Sequence, residues 1–397
     1  VVQKKVKILF IYEWLVKAGA QTYLFELIKA INKDKFDVSV LCGQKSPDPF
    51  ASPKEYYYFE IKNLGVKMFP YLGTSSNPPL PIHKKFWKKF LNISSRKLKL
   101  SVSKYLVKKD EFQDKINELV LSQDHVVVID FYTYNSLKTI IDKVLKPEVH
   151  ILCDTFQYKD DIFKYFDKTR EYTFFYYNTG ILPALKKSFN SDSTFQHLPL
   201  ILNTESLKII PLKKINKNEE INIAVFTRIA PNKRLEYFIL AFHLLCNKYS
   251  DLKFRLKIFG FIQSNSYYES ILGMIAFYRL EEFIDFEGHS EHMAESILQK
   301  NIAIAWHIHS TSSPGYAGIE VAATGLPCLY YEAGNLNDND HSPLKKFKRI
   351  DLFAEETVKL IEDEGLYNDY SVKQRNYIIN HFDIENYISM LEKYWSK

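Results

Sequence analysis

The chain has 397 residues, 46% hydrophobic and 25% charged, an ordinary globular composition that excludes a disordered, collagenous or disulfide-stapled protein. The length exceeds what one core supports and suits two domains. The 53 Lys and Arg against 47 Asp and Glu give +6, but ten of the basic residues, with no acidic one among them, lie between Lys84 and Lys109; the rest carries 43 basic and 47 acidic residues, a net −4.

Val6–Tyr12 is a β-branched and aromatic run that ends in a loop. Lys4, Lys5 and Lys7 before it and Ala18-Gly19-Ala20 after it mimic a secretory leader, yet Glu13 interrupts an apolar run too short for a leader or a membrane span. A buried first strand in a cytoplasmic protein is the expectation. Cys42, Cys153, Cys246 and Cys328 lie in apolar runs without metal-ligand spacing and read as free thiols of a reducing compartment. A helix over 20–31 places Leu24, Leu27, Ile28 and Ile31 on one face, and a strand over 37–42 follows. The pattern resumes with a strand over 126–130, a helix over 136–144 and a strand over 149–153. A polar, lysine-rich linker over 204–220 precedes strands over 221–227, 254–259, 283–286, 302–306 and 328–331. Helices over 235–249, 267–278, 293–299 and 318–324 fall between them. Strand and helix alternating in this way imply an α/β protein of two Rossmann-like domains, 1–203 and 221–383, facing across a cleft where a ligand binds. A last helix over 384–397 has Ile384, Tyr387, Ile388, Leu391 and Tyr394 at helical spacing.

Two segments carry chemistry. Arg228 ends the strand of the second domain and Lys233 follows before the helix at Leu235, so both cations lie beside a helix N-terminus, an arrangement suited to a diphosphate. A solvated Arg and Lys on a loop is the alternative for this pair alone. In Gly315-Tyr316-Ala-Gly318-Ile-Glu320-Val-Ala-Ala-Thr-Gly325-Leu-Pro327, Gly315 and Gly318 permit close backbone approach, and a helix starting near Gly318 puts Glu320 in its first turn. There the carboxylate accepts hydrogen bonds from a sugar diol or compensates the helix dipole.

These residues resemble the retaining nucleotide-sugar glycosyltransferases of family 4, which have the GT-B fold. Arg228 and Lys233 look like the family's diphosphate pair, and Glu320-Val-Ala-Ala-Thr-Gly-Leu-Pro327 resembles its Glu-Ala-Met-Ala-x-Gly-x-Pro signature, whose glutamate binds the donor ribose. Gly19 stands in a segment similar to the Gly-Gly-Ala turn near donor phosphate or sugar. Gly260 and Gly288-His289 fall where the family has glycines close to the nucleotide base, and residues 198–203 resemble the segment before the interdomain hinge. The resemblance implies that the last helix crosses back to complete the first domain. It implies a donor site made of Gly19, Arg228, Lys233, Gly260, His289, His309, Ser312, Gly315, Tyr316 and Glu320, with Asp154, Arg228 and Lys233 at the reaction centre. Ser312 replaces a second family glutamate, and Asp154 stands where the family has a histidine. The leaving phosphate can itself accept the acceptor's proton, so that replacement leaves a route to transfer. A degenerate partner or chaperone subunit and a sugar-nucleotide epimerase on the same fold stay open.

No cofactor or metal is expected. Asp338-Asn-Asp340 lies in a polar loop, and His307 and His309 show no third ligand for zinc. Lys84–Lys109 interleaves its cations with Phe86, Trp87, Phe90, Leu98, Val102, Tyr105 and Leu106, a pattern that suits an anionic membrane interface. A solvated helix face is the alternative; nucleic acid lacks any supporting motif. The expected protein is a glycosyltransferase moving sugar from a nucleotide diphosphate to a glycan or lipid-linked acceptor, peripheral on the inner face of the cytoplasmic membrane.

Overall fold

The computed structural model describes residues 4–12, 15, 19–42, 57–70, 114–152, 163, 166–177, 179–189, 191–205, 207–211, 214–290, 292–309, 315–332 and 342–397. The first sheet contains β1 (Val6–Tyr12), β2 (Phe36–Cys42), β3 (Lys67–Pro70), β4 (His125–Ile129), β5 (Glu148–Ile151), β6 (Thr173–Tyr176) and β7 (Thr194–His197), in the order β3-β2-β1-β4-β5-β6-β7. Every pairing in it is parallel. Central β1 is buried from Ile8 onward, as a strand covered on both faces must be. On one face lie α1 (Gly19–Ala30) and α2 (Tyr57–Asn63); α3 (Phe131–Ile141) and α4 (Leu182–Ser188) belong to the core on the other.

The second sheet, β8 (Glu220–Phe226), β9 (Lys253–Phe259), β10 (Ile284–Gly288), β11 (Ile302–His309), β12 (Cys328–Glu332) and β13 (Lys346–Phe347), is also parallel, in the order β10-β9-β8-β11-β12-β13. Its helices are α5 (Leu235–Lys248), α6 (Asn265–Phe277), α7 (Met293–Gln299), α8 (Gly315–Ala323), α9 (Ile350–Glu362) and α10 (Glu364–Phe382). In α5, Leu235, Phe238, Ile239, Phe242 and Leu245 are buried at three- and four-residue spacing, which forms the stripe that seats it on the sheet.

The final helix, α11 (Glu385–Trp395), leaves the second domain and packs Ile388, Leu391 and Trp395 into the core of the first sheet. Trp395 Nε1 donates to Glu148 Oε2 at 2.9 Å, Tyr394 bonds Thr173 at 3.0 Å, and the amide of Asn32 donates to Glu392 at 2.9 Å. Leu202 donates to Phe382 and accepts from Ile384, so the outward and returning connections between the domains run side by side.

Two helices begin three or more residues earlier than the sequence predicts. Asp130 caps α3 by accepting from the amide of Thr133, so that helix starts at Phe131 instead of 136. Helix α8 starts at Gly315, which places Glu320 in the second turn, beyond the reach of dipole compensation. Among the described residues, no helix is long and apolar enough to cross a membrane.

Candidate active site

The carboxyl ends of β8, β9 and β10 form one wall of the site. Thr227 and Ile229 continue the ladder past β8 by donating to the carbonyls of Phe259 and Phe261. Gly260 lies so near them that a Cβ there would stand 1.8 Å from the carbonyl oxygen of Thr227 and 3.2 Å from Cα of Arg228. Arg228 is thereby held at the strand end, half-buried. Its guanidinium has no hydrogen-bond or ion-pair partner among the described residues, and burial pulls its pKa below the usual guanidinium value. A short 3₁₀ turn, Pro231–Lys233, carries Lys233 to the start of α5. The first amide of that helix, Leu235, already donates to Tyr267 at 2.7 Å, and Tyr267 in turn donates to Glu236. That amide is therefore not free for an anion, as the sequence expectation had it; the two side-chain cations carry the positive charge instead. Farther along the same edge, the amide of Gly260 donates to Gly288 at 2.7 Å, and the rings of Phe261 and exposed His289 meet edge to face at 6.3 Å.

The second wall is α8, which follows β11, the neighbour of β8. Gly318 lies where its helix presses on the sheet, since a Cβ would come within 2.8 Å of His307 and 2.9 Å of Tyr330. The turn after α8 is held by α10 through buried polar groups. Gln374 accepts from the amide of Cys328 and donates to the carbonyl of Leu326, Ser371 donates to Gly325, and Arg375 donates to Ala323. With its C-terminal end fixed in this way, α8 carries half-buried Glu320, whose charge bears on Tyr57 of the first domain.

Opposite stands the polar face of α1. Gly19, Thr22 and Glu26 share that face by helical spacing. Gly19 backs on Tyr316, whose Cδ2 would lie 3.4 Å from a Cβ at Gly19. The hydroxyls of Thr22 and Tyr57 bond at 3.1 Å, and the Tyr57 ring stacks on Phe25. Burial pushes the Tyr57 hydroxyl up to about 12; the Thr22 bond pulls it down, while Glu320, Glu60 and Glu26 add to the rise. Tyr57 therefore feels the Glu320 carboxylate across the cleft. One carboxylate oxygen of Glu26 is buried without a hydrogen bond among the described residues, and burial raises its pKa.

The structure thus collects Arg228, Lys233, Gly260 and His289 along one sheet edge, and Gly19, Gly315, Tyr316 and Glu320 where the two domains meet. Strand β11 runs through His309, but the His309 side chain lies outside the described residues, as do Asp154, Ser312, Cys153, Asp338–Asp340 and the basic strip 84–109. Tyr57, Thr22 and Glu26 were missed by sequence reasoning. For Thr22 and Glu26 a signal existed, since they fall opposite the apolar stripe of α1 in register with Gly19; for Tyr57, within a run of three tyrosines, there was none.

No protein-family model and no curated protein matches this sequence. Among solved structures, the chain is similar to Anabaena Alr3699/HepE in complex with UDP-glucose, with 12% identity, a TM-score of 0.71, and 98% of this chain and 99% of that one covered. It is similar to sucrose-phosphate synthase from Thermosynechococcus elongatus at 10% identity and a TM-score of 0.66, covering 99% and 98%. The lipopolysaccharide outer core galactosyltransferase WaaB, in its apo form, matches at 14% identity and a TM-score of 0.62, covering 98% of this chain and all of that one. Two parallel six- and seven-stranded sheets that superpose over the full length on these structures give this chain the GT-B fold.

Proposed function

We propose that the protein is a retaining glycosyltransferase that takes sugar from a nucleotide-diphosphate donor and passes it to a glycan or lipid-linked acceptor. The observation that carries this reading is the half-buried guanidinium of Arg228 at a strand end, with no anion beside it among the described residues, since a desolvated cation calls for a bound anion. Arg228 and Lys233 hold the diphosphate and stabilise its charge as it leaves, which makes a metal ion unnecessary. Glu320 takes the ribose diol, and Phe261 and His289 flank the base. In the transfer step, the bond from the anomeric carbon to the diphosphate oxygen breaks and a bond to the acceptor oxygen forms on the same face. The acceptor's proton passes to the leaving phosphate, and Asp154 orients a hydroxyl at the reaction centre. The complexes of Alr3699/HepE with UDP and UDP-glucose make a uridine donor the first to try.

Calorimetry with UDP in the presence of EDTA tests the site. The wild type binds; Arg228→Ala and Glu320→Ala each weaken binding by about 10- to 100-fold, the loss expected for hydrogen bonds to a charged group. Unchanged affinity in both variants, or binding that needs a divalent cation, overturns the reading. We place the acceptor at a membrane through the basic strip 84–109. Co-sedimentation should then be stronger with anionic than with neutral vesicles, and equal binding to both rejects the membrane contact.

A further inference from the structure

Among the described residues, Tyr316 and Leu152 are the partly buried side chains that pack against both the core of the first domain and the inner core of the second. Tyr316 goes further than packing. It is the second residue of α8, yet its hydroxyl donates at 3.0 Å to the carbonyl of Ile201, on the segment that leaves the first domain. Its ring lies against Gly19 at the start of α1. Burial, then the neighbouring Tyr23, Glu26, Glu320 and Tyr57, hold the hydroxyl protonated and so able to donate. Ile201 is fully buried, so its carbonyl has no water to replace that donor. Glu320 follows Tyr316 by four residues and shares its helix face.

We propose that Tyr316 is a positioning residue that fixes the register between the two domains, holding the Glu320 face of α8 opposite Thr22 and Tyr57 instead of contacting the donor itself. This rests on the donor site proposed above, but its physical core does not, because the bridge joins protein to protein. Every side chain assigned to the donor diphosphate and ribose belongs to the second domain. Loosening the bridge therefore leaves donor binding intact and disturbs only the presentation of the donor to the first domain.

The test compares the wild type with Tyr316→Phe, which keeps the ring and removes the bond, and Tyr316→Leu, which removes both. Amide hydrogen exchange of the ligand-free proteins should become about tenfold faster or more over residues 198–204 in both variants, while the central strands β1 and β8 keep their protection. UDP affinity should stay within about threefold of the wild type, whereas turnover of UDP-glucose at saturating donor should fall about tenfold, a kcat effect without a KM effect. Unchanged exchange at 198–204 overturns the proposal. So does a loss of UDP affinity as large as that of Glu320→Ala, which would make Tyr316 a ligand contact, or an unchanged kcat. If the wild type binds no UDP, the donor reading fails, while the exchange result still decides whether the bridge exists.

Discussion

Glu148→Ala should lower the unfolding free energy by about 2–6 kcal/mol, because it strips the acceptor from two buried donors at about 1–3 kcal/mol each. Glu148 is 2% exposed and His150 is fully buried. The carboxylate accepts from His150 Nε2 at 2.6 Å and from Trp395 Nε1 at 2.9 Å, and Nδ1 of the same imidazole meets the hydroxyl of Tyr23 at 2.7 Å. Burial and then the Glu148 charge keep Tyr23 well above its ordinary pKa, so it remains a phenol able to donate. Removing the carboxylate leaves two buried donors unpaired and opens a cavity against Trp395. Trp395→Phe removes one of these hydrogen bonds and trims the indole to a single ring, so it should cost less, about 1–3 kcal/mol. Urea unfolding of the two variants checks the order; equal, small losses would show that the network holds nothing.

Gly260→Ala is the second large effect, about 3 kcal/mol or more, because the added methyl meets backbone atoms that no side-chain rotation can move. The Cβ would lie 2.6 Å from the carbonyl carbon of Thr227 as well as 1.8 Å from its oxygen. The strand end carrying Arg228 must shift to admit it, so UDP affinity should fall together with the melting temperature of the protein. Gly273→Ala is the control. It sits inside α6 with nothing within 4 Å of a Cβ, and alanine favours a helix, so that variant should be neutral or slightly stabilised. A Gly260→Ala protein that melts and binds UDP like the wild type would refute the close approach.

The sequence resemblance assigns Gly260 to the neighbourhood of the base, whereas the structure adds a reason that precedes any ligand: β8 and β9 could not approach with a side chain there. Val6–Tyr12 was legible because a continuous β-branched and aromatic run, interrupted by Glu13, fits a strand buried on both faces better than a leader. Strands β6 and β7 and helices α9 and α10 escaped notice for physical reasons. Thr194–His197 is a four-residue edge strand, half-buried at best, with no periodicity to read. In α10 the buried positions include Ser371 and Gln374, whose task is to bond the carbonyls and amide of the turn over 325–328. A polar residue facing a core is indistinguishable in sequence from one facing water. In the candidate site, the signals that single out Arg228, Lys233 and Glu320 are local patterns, a strand end and a glycine-punctuated helix. Tyr57 was not, because its importance arises only when the second domain brings Glu320 to face it.

The helix that returns to the first sheet also orders events during synthesis. Residues 220–382, with every strand of the second sheet, emerge as one continuous block and can fold as soon as they are available. The first sheet is made earlier but lacks Ile388, Leu391 and Trp395 until the helix that follows the second domain has also emerged, so its Phe10 and Glu148 wait without the indole they pack and bond. Of the two sheets, the one translated earlier is therefore the one completed later.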